Sequence, residues 1–500
     1  MASTATDSQE NSYRSILRGM SVFGSVQVLQ IVINVVRGKF VALLLGPEGM
    51  GISQLLVSST NTLKQMASCG LPLSIVREVA AARGNDADTS DAADDVDSSA
   101  DVAAVVSVAR RVVLYTALGA MLLCIACSAL LSRITFDNSL YTWSFVALSV
   151  MMLFSVLSDG EMSLLQGLHE VKRLSKSSLV GALVGLVAGV PLYWAFGYDG
   201  IVPAMIILAV ATWAFYRYNM RRAMPGSAVS VPRSLRWAIA GRMLSLGVVL
   251  MAGTVLTTLV GYLVNMWVRA LGSVGDVGLF QAANTIAGQY VAVVFTAMSL
   301  DYFPRLSAAI SDNARMTVIV NRQFDLVGLV IAPLAIALML TAPLLIRVLT
   351  SEEFMAVVPL VRWMALGLFL RAMAYPMGYI SFAKGDKKLY FCLEGVFGCS
   401  VMLVVNCLCY WAWGLVGLGI AMVIVHALDV AAYYIVNHRV YGYRIDRSTL
   451  RLMILLSLPV LLAFLATLLP DMRLGYALMS LLLLITLFAS FRGIRSRLRG

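Results

Sequence analysis

Charge is scarce in this chain. Asp, Glu, Lys and Arg make up 13% of its 500 residues, about half the share of a soluble domain. With 60% hydrophobic residues and a mean hydropathy of +0.83, water is excluded as its main solvent. Histidine is almost missing: the three copies, His169, His426 and His438, have no metal-ligand spacing. The seven cysteines all lie in apolar segments, so neither a disulfide framework nor a zinc set is read from them, and Cys124-x-x-Cys127 is read as packing. The polar N-terminus has no signal-peptide cleavage pattern, so the first apolar span is expected to act as an uncleaved anchor. There is no nucleophile–base constellation, phosphate loop or cofactor motif. The chain is therefore read as a transporter without a cofactor, not as an enzyme, leaving room for coupling to a H⁺ or Na⁺ gradient.

Long apolar runs are abundant. A membrane helix needs roughly 20 mostly apolar residues, and fourteen such spans are read near 16–45, 50–76, 104–131, 139–165, 177–196, 200–217, 243–270, 276–303, 324–349, 354–383, 389–413, 415–437, 451–469 and 474–491. With both termini placed in the cytoplasm and residues near span ends counted with the side they adjoin, the inner side holds 29 of the 38 Lys and Arg, the outer side holds Arg133, Arg347 and Arg473, and six (Arg37, Lys39, Lys64, Arg269, Arg362 and Arg371) are left to the spans. This asymmetry supports an N-in, C-in orientation. It also accounts for the net charge of +11 without invoking nucleic acid. One inner loop differs: residues 85–101 carry seven Asp and no aromatic, which reads as a disordered acidic linker.

The chain repeats itself. Leu45–Gln54, "LGPEGMGISQ", matches Leu271–Gln281, "LGSVGDVGLFQ", after one insertion. Each copy stands at the outer hinge between the first two spans of a set of six. A fainter echo, Gln166–Arg173 and Ala383–Lys388, follows the fourth span of each set. The expected architecture is an all-α integral membrane protein of about fourteen helices. It comprises an N-terminal six-span bundle (1–223), a C-terminal six-span bundle (224–447), and two further spans with a basic tail (448–500). Six is even, so the copies start on the same side and are parallel repeats, an architecture shared with transporters that handle substrate near the repeat interface.

Gly38–Gln54, Gly278–Tyr290, Phe295–Ala308 and the twelve-plus-two layout resemble the Wzx-type polysaccharide (O-antigen) flippases. These belong to the superfamily that also holds multidrug extruders and the lipid II flippase. The resemblance covers nearly the whole chain, and the Asp-rich loop departs from it. It implies alternating access in a bacterial inner membrane. The implied substrate is a polyprenyl-pyrophosphate-linked oligosaccharide, and the implied partners are membrane lipids, a polysaccharide polymerase and glycosyltransferases.

Polar residues inside the spans mark the candidate site. Gln27, Gln30, Asn34 and Arg37 fall within an arc of roughly 80° on the first span at 100° per residue. Gln54, Ser58, Asn61, Gln65 and Ser68 form a similar arc on the second, with Lys64 at its edge. The seventh span offers Thr254, Thr258, Asn265 and Arg269; the eighth, Gln281, Asn284 and Gln289. Such stripes face protein or a hydrated cavity; for any single residue, inter-helix glue is an equal reading. Arg37 is placed roughly 12 Å and Lys64 roughly 21 Å from the outer surface at 1.5 Å per residue. No carboxylate in those two spans pairs with either, so the missing anion is assigned to the substrate, a pyrophosphate being well matched. Arg362 and Arg371 lie on opposite faces of the tenth span, Arg371 the deeper, with Glu394 and Asp429 as candidate neutralisers. Asp159 and Glu161 are expected to reach the inner interface, and Asp301 with Arg305 to form a local pair. A cation-coupled drug exporter is the first alternative, disfavoured by the lack of a deep carboxylate in the first six spans. A non-transporting scaffold for polysaccharide enzymes is the second.

Overall fold

The computed structural model describes the backbone of residues 2–84, 95–224 and 231–499, and their side chains apart from 2–28, 84, 95–101, 249–250, 290–294, 296–301 and 498–499. Every regular element among the described residues is helical. The spans are predominantly apolar, and a backbone in lipid must satisfy its own hydrogen bonds, which a helix does.

The helix α1 (Ala2–Ala67) carries two spans, broken at Gly46, whose φ of 63° and ψ of −168° reverse the chain. Glycine accepts this left-handed φ without a Cβ clash, and Pro47 cannot donate back into the preceding helix. α2 (Leu71–Gly84) continues the second span beyond a turn at Cys69 and Gly70. Six helices follow singly: α3 (Asp95–Phe136), α4 (Thr142–Gly167), α5 (Val171–Phe196), α6 (Ile201–Ala223), α7 (Arg233–Leu271) and α8 (Val274–Ala308). Then come α9 (Asn313–Leu349), α10 (Val358–Ala383), the short α11 (Lys387–Tyr390) and α12 (Gly398–Tyr441), with a π-helical turn at Phe391–Phe397 joining the last two. α12 again holds two spans, broken at Gly414 with φ 59°. α13 (Arg447–Ala466) and α14 (Met472–Arg499) complete the fourteen spans.

The helices run past the apolar spans at several ends. The acidic stretch is the clearest case: residues 85–94 lie outside the described residues, but from Asp95 the backbone is already α3. The linker expected over 85–101 therefore ends earlier than its composition suggests.

The repeat is visible in backbone geometry as well as in residues. Gly197 and Gly414 both take positive φ, 54° and 59°, at the turns between spans five and six and between eleven and twelve. Each is followed three residues later by a glycine that packs on a backbone carbonyl, Gly200 on Leu192 and Gly417 on Cys409, both eight residues upstream.

The chain packs into two compact units. One comprises Met1–Leu45 and Leu55–Tyr262; the other comprises Gly46–Gln54 and Leu263–Gly500. This partition by packing differs from a partition by repeat: Gly46–Gln54 of the first copy belongs to the second unit, and the second copy up to Tyr262 belongs to the first. In that second unit Gly51 lies against the Val274 carbonyl and Gly278 against the Pro47 carbonyl, with no room for a Cβ at either. In the first unit Gly70 and Gly247 close on each other's backbone in the same way. Glycine permits such approach where apolar side chains gain nothing by leaving lipid.

Candidate functional site

The first unit holds two ionic groups built on α4. Asp159 and Glu161 are two residues apart, so they point in opposite directions around the helix. Asp159 Oδ2 lies 3.0 Å from Lys64 Nζ. Glu161, 6% exposed, takes Arg217 of α6 at 2.6 Å and Arg110 of α3 at 3.4 Å on the same Oε1 atom.

These contacts correct two expectations. Lys64 is not free for a substrate anion: its partner comes from the fourth span, not from the first two. Nor is the first unit without deep carboxylates. Asp159 stands eight residues from the inner end of α4, roughly 12 Å along the axis. Both carboxylates are occupied by cations, so neither is available to a cationic drug in this arrangement. Glu161 with two arginines leaves an excess positive charge in its neighbourhood.

The other stripe residues divide by exposure. Asn34 is exposed, while Gln30, Arg37, Gln54 and Asn61 are half-buried. The side chain of Gln27 lies outside the described residues. Arg37 lies within electrostatic reach of Tyr193 on α5, and among the described residues it forms no ion pair. Thr62, off the predicted stripe, donates to the Thr258 carbonyl at 3.5 Å. Tyr262 and Thr135 share a 2.6 Å hydrogen bond between α7 and α3. Polar residues of α7 thus tie helices of the first unit together.

In the second unit Asn265 is buried, at 5% exposure, Arg269 is half-buried and Asn284 is exposed. Gln281 turns onto its own helix, donating to Thr285 Oγ1 at 3.2 Å. Glu394, within the π-helical turn, accepts from the Tyr433 hydroxyl at 2.6 Å, and Asp429 pairs with His426 at 3.0 Å. Neither carboxylate forms a direct ion pair with Arg362 or Arg371 among the described residues, though Arg371 lies within electrostatic reach of Glu394. Asp301, expected to pair with Arg305, has a side chain outside the described residues.

Arg371 is the outlier. It stands thirteen residues from the start and twelve from the end of α10, so roughly 18–20 Å from either end at 1.5 Å per residue. Its side chain is exposed, and its guanidinium lies over the Phe295 ring at 5.5 Å from the centroid. Arg362 is half-buried. No group of three or more His, Cys, Asp or Glu able to hold a metal occurs among the described residues.

The described residues thus form an all-helical, multi-pass membrane chain, kinked at glycines and carrying cations within its spans. Solved structures agree on the fold. A lipid II flippase, MurJ, in an inward closed conformation is similar with a TM-score of 0.66 at 12% identity, over 97% of this chain and 100% of that one. A multidrug resistance MATE family transporter of the MOP superfamily, inward-facing, gives 0.67 at 15% identity over 83% and 94%. The family model described as "Polysaccharide biosynthesis protein" matches residues 94–359, and the chain belongs to that family. The Lipid III flippase of Escherichia coli (strain K12) is 22% identical over 364 residues, covering 71% of this chain and 82% of its own length. The Shigella flexneri protein of the same name matches equally.

Proposed function

We propose that the protein is a flippase that carries a polyprenyl-pyrophosphate-linked oligosaccharide, an O-antigen or exopolysaccharide repeat unit, across a bacterial inner membrane by alternating access. The observation that carries this reading is the match to a polysaccharide biosynthesis family joined to similarity with a named lipid III flippase. Two side chains supply the chemistry. Arg37 in the first unit and Arg371 in the second are intramembrane cations that form no ion pair among the described residues. Leaving a cation unpaired in lipid costs several kcal/mol, whereas a guanidinium binds a phosphate bidentately. With Lys64 engaged by Asp159, the anion-binding role falls to these two arginines. Gln30, Asn34, Gln54, Asn61, Asn265, Arg269, Gln281 and Asn284 are proposed as polar lining for sugar hydroxyls.

On this reading the protein has no catalytic group and works beside the glycosyltransferases that build the lipid-linked unit and the polymerase that consumes it. Coupling to a H⁺ or Na⁺ gradient is part of the proposal. The likeness to MATE transporters, at 15% identity, speaks to fold alone.

Deletion of the gene tests this. The expected result is loss of surface glycan, with lipid-linked intermediates trapped facing the cytoplasm and restored by the wild-type gene. Normal glycan with raised drug sensitivity would move the assignment to the drug exporters.

A further inference from the structure

Arg371 begins a line of aromatic side chains that the proposed transport chemistry leaves unused. On α10 it is followed by Tyr375, Tyr379 and Phe382, at spacings of four, four and three. At 100° per residue these four lie within an arc of roughly 80°. The rings form a continuous chain: Tyr375 and Tyr379 have centroids 4.9 Å apart, and Tyr379 meets Phe382 edge-on at 6.5 Å. On α8, Phe295 packs on Tyr375 at 5.0 Å and Phe303 on Phe382 at 5.2 Å. At the inner end Phe382 meets Tyr390 at 5.2 Å, beside Lys387 and Lys388.

The charge of Arg371 disfavours a lipid-facing position for this face. Arg371 is exposed halfway along a membrane-spanning helix, a position where contact with lipid tails is costly, and its arc is shared by the three aromatics below it. Tyr375 and Tyr379 are half-buried and Phe382 is 49% exposed, so part of the ring surface remains open along the line. The two tyrosine hydroxyls lie 3.4 Å apart, with Tyr375 also donating to the Phe295 carbonyl at 3.2 Å. An apolar ring with a polar tip is suited to a partly hydrated surface.

We infer that this face of α10 is a stacking track for sugar rings, leading from the cytoplasmic end of the helix to Arg371. A pyranose has one face of C–H bonds and a rim of hydroxyls. The aromatic rings take the first and the tyrosine hydroxyls the second, while Arg371 takes an anionic group, either the pyrophosphate or an acidic sugar. The inference rests on the flippase reading and adds the residues that recognise the glycan.

Binding of two probes separates glycan recognition from lipid recognition: a polyprenyl pyrophosphate bearing the host's repeat-unit oligosaccharide, and the same lipid without sugar. Full-length wild type, Tyr375→Leu/Tyr379→Leu, Phe382→Leu and Tyr375→Phe/Tyr379→Phe are compared in nanodiscs by native mass spectrometry. The ratio of the two affinities is read, so partial misfolding, which weakens both, does not imitate the effect. Expected is a five- to tenfold fall in the ratio for the double Leu variant, a smaller fall for Phe382→Leu, and near-retention for the Phe variant. An unchanged ratio in both Leu variants overturns the track and assigns the rings to packing against α8 and lipid. Flipping by wild type is followed in parallel in proteoliposomes: failure to flip the glycosylated lipid sinks the flippase reading, whereas flipping with an unchanged affinity ratio in the Leu variants sinks the track alone.

Discussion

Gly51 and Gly278 occupy equivalent places in the two copies of the repeat, and each closes on the other's segment. Gly51 rests on the Val274 carbonyl and Gly278 on the Pro47 carbonyl, with the Gly51 nitrogen beside it. Val274 and Pro47 are themselves equivalent when Gln54 is aligned with Gln281. The contact is therefore reciprocal, as a pseudo-twofold relation between the segments requires.

A side chain at either glycine must displace backbone, not a flexible neighbour. Gly51→Val and Gly278→Val are expected to destabilise the protein by about 1–3 kcal/mol, the range for overpacking, while Gly38→Ala, where nothing lies within 4 Å, has little effect. Thermal unfolding of detergent-purified variants checks this; equal midpoints across the set would contradict the crossing.

The Lys64–Asp159 pair is partly exposed, with side chains at 18% and 30%. Its coupling, discounted for screening, is expected near 0.5–1 kcal/mol. A double-mutant cycle with Lys64→Met and Asp159→Leu reads it. If Lys64 instead served the substrate, transport would fall sharply in Lys64→Met and Asp159→Leu would not modify that loss.

Glu161 holds Arg110 and Arg217 together. Glu161→Gln leaves two partly buried cations without their shared counter-charge, and breaking a buried pair in this way costs about 3–5 kcal/mol. The expected outcome is a marked drop in membrane level, recovered in part by Arg217→Met on the same background. Unaltered expression of Glu161→Gln would show the triad to be dispensable.

For the anion, Arg37→Ala and Arg371→Ala at matched membrane levels are expected to lower transport at least tenfold, and Arg269→Ala, near the outer end of α7, by much less. Lys at positions 37 and 371 should restore part of the activity, since an ammonium supplies charge but not the bidentate fork. Full transport in both alanine variants would remove the phosphate role.

The spans were legible because hydropathy depends on local composition alone. The repeat was legible at Leu45–Gln54 and Leu271–Gln281, where residues coincide. It was missed at Gly197–Gly200 and Gly414–Gly417, where only the glycines and their backbone angles are shared. Helical spacing showed which residues share a face but not which neighbour that face meets. That is why Lys64 looked unpaired: its partner Asp159 is 95 positions away on α4, and reading Asp159 as interfacial hid it. The two-residue separation of Asp159 and Glu161 did hold a usable signal, because it forces them toward different helices. The aromatic line on α10 was open to the same spacing test that found the polar stripes, but aromatic residues blend into an apolar span where Gln and Arg do not.

The central claim is tested most directly in proteoliposomes holding only the purified protein and the lipid-linked oligosaccharide, with sugar accessibility to an added lectin followed in time. Wild type is expected to equilibrate the glycan between leaflets, and Arg37→Ala/Arg371→Ala to leave it where it started. Accessibility that changes no faster with wild type than in protein-free liposomes, with and without an imposed H⁺ or Na⁺ gradient, would contradict the account.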